Sequence, residues 1–91
     1  MIFVVDSSDG DRVTEAGKEL GEMLQNEELR AASVLVFANK QDVAGALPVA
    51  EVTQRMGLSS GATLKHRRWH VQPASAVTGD GVFDGLSWIT A

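Results

Sequence analysis

The chain has 91 residues, enough for one small domain. Hydrophobic residues make up 44% and charged residues 22%, a globular mixture, and the net charge of −4 leaves no basic surplus to replace counterions on nucleic-acid phosphates. Cysteine is absent, which excludes a disulfide framework and a thiolate metal site; no apolar run is as long as a membrane span, and Met1 to Asp6 is too short and too uncharged for a signal peptide.

Met1 to Val5 is a continuous, β-branched apolar run, which predicts a strand buried on both faces. Ser7 to Gly10 forms a turn cluster with capping side chains for the segment that follows. From Asp11 to Asn26, Val13, Ala16, Leu20, Met23 and Leu24 recur at helical spacing. Arg12, Glu15, Lys18, Glu19 and Glu22 fall on the other face. Gly17 and Gly21 each weaken such a helix by roughly 1 kcal/mol relative to alanine. A second apolar run, Val34 to Ala38, predicts another doubly buried strand. Pro48 suits the first turn of a short helix, with Val49, Val52 and Met56 on one face and Gly57 as its stop. Ser59 to Thr63 is a small-residue loop, and Trp69 to Gln72 is a weaker strand. Thr78 to Gly81 is a turn, and Val82, Phe83, Leu86 and Ile89 begin a last helix. Strands alternating with helices predict an α/β domain over 1–91, a parallel sheet with crossover helices. Ligands of such sheets bind beyond the carboxyl ends of the strands.

Two polar clusters fall at those ends, Asn39 to Asp42 and Ser75 to Val77, with Asp6 a further candidate position. Asn39-Lys40-Gln41-Asp42 spells N-K-x-D, the guanine-recognition signature. Guanine offers two adjacent donors, N1–H and the C2 amine, and one in-plane carboxylate can accept both. Adenine offers neither, and would leave Asp42 unpaired. A site built on such pairing rejects the wrong ligand by about 10⁴-fold or more. Lys40 can lay its methylene stem along the purine face, and Asn39 can tie neighbouring backbone segments together. Taken alone, four residues fit an ordinary polar turn equally well.

The order of segments resembles the C-terminal half of small GTPases of the ADP-ribosylation factor (Arf/Arf-like) family. The resemblance rests on I-F-V-V-D-S (Ile2 to Ser7), E-E-L-R ending in Leu29 and Arg30, and V-L-V-F-A-N-K-Q-D (Val34 to Asp42). Trp69 to Gly81, and then Gly85, Leu86 and Trp88, extend it over nearly the whole chain. It implies a partial P-loop GTPase-type three-layer fold, with the first strands and the P-loop missing. It also implies nucleotide contacts at Asn39, Lys40, Gln41, Asp42, Ser75, Ala76 and Val77, the Ala76 amide donating to guanine O6. The ligand would be GTP or GDP, of which this chain would meet the guanine moiety; Mg²⁺ is expected only with the missing half. The parent would be a GDP/GTP switch in vesicle or membrane traffic, cytoplasmic or peripheral on the Golgi or other endomembranes. Its partners would be exchange factors, GTPase-activating proteins and effectors. Three departures stand out: Gly10 replaces a basic residue, which loosens the helix start; Gly61 to Thr63 reads as an insertion; and Pro73 implies a strand end or edge.

No phosphate cradle of the form G-x-x-x-x-G-K-[ST] occurs in the sequence. Gly17-Lys18 is a decoy, with Arg12 where the first glycine belongs and Glu19 in place of Ser or Thr. Asp42 to Gly45 spells D-x-x-G after the wrong strand. No catalytic residue and no metal ligand is therefore assigned, and the expectation is a partial sequence of a GTPase. The alternatives are a non-catalytic guanine-nucleotide or protein-binding module, or a non-functional truncated product. In the expected sheet Met1 to Val5 loses a neighbour and exposes an apolar edge. His66 and His70 read as surface or loop residues, Trp69 and Trp88 as packing residues, Lys65 to Arg68 as a solvated loop, and Asp6 as the residue that fixes the next turn.

Overall fold

β1 (Ile2–Asp6), β2 (Val34–Asn39) and β3 (Trp69–Pro73) form a parallel sheet in the order β1-β2-β3. The structure is a computed structural model and describes residues 1–58, 64 and 67–91. The expected insertion at Gly61 to Thr63, and the loop positions Ser59, Ser60, Lys65 and His66, lie outside the described residues. Among the described residues three α-helices connect and flank the strands: α1 (Gly10–Met23), α2 (Val49–Arg55) and α3 (Val82–Thr90). A 3₁₀ turn, Glu27–Leu29, which the apolar spacing did not signal, follows α1.

β2 is the centre of the fold. Val34, Leu35, Val36, Phe37 and Ala38 are all buried, as an apolar run between two neighbouring strands and two covered faces requires. On one face Val5, Val36 and Val71 join Val13 and Leu20 of α1, Leu24 at its C-cap, and Val52 and Met56 of the α2 segment. Each fully buried aliphatic side chain there stabilises the fold by about 1.5–3 kcal/mol. On the other face Leu35, Phe37 and Ala74 meet Val82, Trp88 and Ile89. α3 sits close because Gly85 has no side chain: a Cβ there would fall 2.4 Å from the Phe37 ring.

The cap of α1 is set by Asp9, whose carboxylate accepts from the amides of Asp11 and Arg12. Gly57, at φ 71, ends the turn after α2 in the left-handed conformation that glycine supplies at a helix exit. Pro48 stands one position earlier than the first turn, as the extended N-cap of α2. Pro73 is the last residue of β3, an edge strand, where its missing donor is harmless.

Two expectations of burial fail. β1 is not buried on both faces: Val5 is covered, while Ile2 is 48% and Val4 60% exposed. The reason is asymmetry of cover, since α1 packs on one face of β1 while α3 packs chiefly on β2 and β3. Met23, placed by its spacing on the apolar face of its helix, is exposed, as are Phe83 and Leu86 of the last helix, with no cover from the described residues.

Candidate functional site

Register brings the candidate residues together. Asp6 pairs with Asn39 across β1 and β2, and Ala38 pairs with Pro73 across β2 and β3. The segments leaving the carboxyl ends of all three strands therefore start side by side. The Gln41 amide donates to Ala74 O at 3.1 Å and the Ser7 amide to Asn39 O at 3.2 Å, which lashes the loop after β2 to both neighbours.

Within that loop each side chain has a distinct partner. The Ala76 amide donates to Asn39 Oδ1 at 3.0 Å, so Asn39 bridges the two candidate loops. Lys40 has φ 66, a left-handed conformation uncommon outside glycine, and its ammonium meets Asp6 Oδ2 at 2.9 Å. The side-chain amide of Gln41 donates to Leu47 O at 3.0 Å, so this residue braces the loop with the group it would need for a ligand. Asp42 is exposed, and its Oδ1 accepts from the Ser75 hydroxyl at 2.8 Å. Ser75 is 2% exposed, and its Oγ also accepts from the Thr78 amide at 3.2 Å. Val77 is the outlier: it is 85% exposed and no partner engages it among the described residues.

Asp42, Gln41 and Ser75 line a hollow of about 360 Å³ shared with Thr78 and Asp80. Asn39 and Ala76 instead line an apolar groove of about 270 Å³ with Ile2, Val4, Phe37 and Leu86. The sequence grouped these residues as two clusters, and the structure divides each between two depressions, Asn39 from Gln41 and Asp42, and Ala76 from Ser75.

The role of Asp6 was incomplete when read from sequence. It does fix the following turn, its Oδ1 accepting from the Ser8 hydroxyl at 2.6 Å and the Ser8 amide at 2.9 Å. It also holds Lys40. The Ser8 hydroxyl, the Lys40 ammonium and the Ser8 amide together hold the Asp6 carboxyl well below the usual carboxylate range. No local spacing signals that pair, because it joins residues 34 positions apart through sheet register.

The basic segment also differs from its expected state. Arg67 donates to Leu29 O at 2.6 Å and so ties this segment to the turn after α1. Arg68 donates to Trp88 O and stacks 3.9 Å from the Trp88 ring centroid. His70 is half-buried on β3, its ring 5.2 Å from that of Trp88.

Among the described residues no group of three or more histidine or acidic side chains suits a metal ion. No helix among the described residues is long and apolar enough to cross a membrane. The family model described as the ADP-ribosylation factor family matches residues 1–91.

Proposed function

This chain belongs to the ADP-ribosylation factor family of small GTPases, GTP-binding proteins as a class, and from that premise we propose that it is the guanine-recognising, C-terminal half of such a GTPase. Asp42 receives guanine N1–H and the C2 amine, Lys40 lies along the base, Asn39 holds the two loops together, and Ala76 offers its amide to O6. The parent cycles between GDP and GTP at a cytoplasmic membrane surface in vesicle traffic, with exchange factors, GTPase-activating proteins and effectors as partners.

The observation that carries this reading is the held carboxylate of Asp42. One oxygen is oriented by the buried Ser75 hydroxyl. Its other oxygen accepts from no described residue and belongs to an exposed side chain. A carboxylate with two oxygens and four lone pairs has capacity left for a two-donor ligand edge. The Ala76 amide is already engaged by Asn39 Oδ1. Its service to O6 requires sharing that hydrogen between two acceptors, or a rotation of the Asn39 amide.

The test is a base swap. Asp42→Asn should shift preference from guanine toward xanthine nucleotides, because an amide can donate to the C2 carbonyl of xanthine. Competition between GDP, XDP and ADP reads this directly, and an unchanged order of affinity removes Asp42 from the site. A purified chain that turns over GTP in Mg²⁺ would overturn the assignment of this half to recognition alone.

A further inference from the structure

We propose that Asp6 is a positioning residue for guanine-base binding: it fixes the Lys40 ammonium at the strand ends, so that the Lys40 stem is already laid out where the base docks. The inference rests on the guanine reading of Lys40 and Asp42 and extends it to a residue outside both loops.

Lysine is a poor choice for a rigid contact, since its long stem has many rotamers to lose on binding. Here two features remove that freedom beforehand. The backbone of Lys40 turns into the left-handed region at φ 66, which redirects its side chain relative to an ordinary strand exit. The ammonium then meets Asp6 Oδ2 at 2.9 Å, across the ends of β1 and β2. Asp6 is itself immobilised, because its other oxygen carries both the Ser8 hydroxyl and the Ser8 amide. The two oxygens thus divide the work, Oδ1 anchoring the carboxylate and Oδ2 presenting it to the ammonium. Backbone strain at a candidate site, matched by a dedicated acceptor for the strained residue, is the pattern of a pre-organised contact. Folding alone gives little reason for the pair, since it lies near the surface, where ion pairs contribute little to stability.

Pairing with Asp6 also occupies the Lys40 ammonium and leaves its apolar stem for the purine face.

The experiment titrates the chain with GDP and with ADP, following amide and lysine ammonium resonances by NMR. Unaltered chain is compared with Asp6→Asn, Lys40→Ala, the double variant and Asp42→Asn. Asparagine keeps an acceptor for Ser8, so Asp6→Asn removes the charge and spares the turn. The expected result is a GDP affinity lowered by a factor of about 3 to 10 in Asp6→Asn, with no further loss when Lys40 is already alanine. Equal losses in both backgrounds would mean that Asp6 acts through the turn alone, and an unchanged affinity would remove it from binding; either overturns the inference while Asp42→Asn still shifts base preference. An unaltered chain with no preference for GDP over ADP overturns the guanine reading and this inference with it. Should Asp6→Asn fail to fold, Asp6→Glu serves instead. It keeps the charge and displaces the ammonium by one methylene, and an unchanged GDP affinity there overturns the proposal as well.

Discussion

Ser75 and Asp42 come from different loops, 33 residues apart, and the buried hydroxyl of the first holds the exposed carboxylate of the second at 2.8 Å. The same oxygen of Ser75 takes the Thr78 amide, so one side chain orders its own turn and aims the carboxylate. Ser75→Ala should therefore lower guanine-nucleotide affinity about tenfold, the value of a hydrogen bond to a charged group, without changing base preference. Folding stability should fall by only about 1 kcal/mol, since Thr78 is exposed and water can replace the lost acceptor. Denaturant melts beside a GDP/XDP competition separate the two effects. A swap of base preference in Ser75→Ala would show that the hydroxyl reads the base itself.

Two glycines in α1 look alike in sequence and differ in the fold. A Cβ on Gly17 would lie 2.6 Å from the backbone of Met56, whereas one on Gly21 meets nothing within 4 Å. Gly17 is thus the point where α1 closes on the end of α2, and Gly21 is only a weak spot in a helix. Gly21→Ala should stabilise the chain by roughly 1 kcal/mol through helix propensity. Gly17→Ala should destabilise it by about 1–3 kcal/mol, because backbone must move to admit the methyl. Urea midpoints for the two variants should move in opposite directions; movement in the same direction would contradict the close approach at Gly17.

That contrast shows where sequence reading reaches its limit. β2 was legible because five consecutive apolar residues between turn signals have few other places to go, and the loop after it was legible because N-K-Q-D sits at a strand's carboxyl end. A cap within Ser7 to Gly10, which the fold assigns to Asp9, and the Gly57 stop were legible for the same reason: local geometry demands those residue types. The two-sided burial expected of β1 failed, as did the apolar face assigned to Met23, because hydrophobicity reports a preference for cover and not whether cover is there. The Asp6–Lys40 pair and the anchoring of Arg67 and Arg68 had no local signal either, since each is made by register between distant segments. In the candidate site, residue types were readable and partners were not: Gln41 braces Leu47 and Val77 is unengaged among the described residues.

Asp6 also sets a pH dependence whose sign is fixed by its partners. Its folded carboxyl titrates well below the usual range, held there by the Ser8 hydroxyl, then by Lys40 and the Ser8 amide. In the unfolded chain it titrates at about 3.8. Between those two points the unfolded state takes up the proton first, so stability falls as pH falls through that window. Above it the contribution is complete and flat. Urea melts of unaltered chain and Asp6→Asn should differ by a constant amount from about pH 5 to pH 8, with the gap narrowing below about pH 4. A gap that widens on acidification would require Asp6 to be protonated in the fold, contrary to its three hydrogen bonds.

The uncovered side of β1 has a consequence for solution behaviour. Val4 is 60% and Ile2 48% exposed on a strand whose outer edge has no partner among the described residues, and both line the apolar groove beside α3. An unpaired edge that is also apolar is a template for another chain's strand. Val4→Lys puts a charge on that edge at a position that gives up little burial, so stability should change by no more than about 0.5 kcal/mol. Self-association, read by sedimentation velocity over a concentration series, should fall, and the concentration at which the chain becomes turbid on warming should rise. A large loss of stability in Val4→Lys would mean that the folded chain covers Val4 after all. Unchanged association with an intact fold would move the sticky surface away from β1, and Phe83, 78% exposed on α3, would be the next residue to charge.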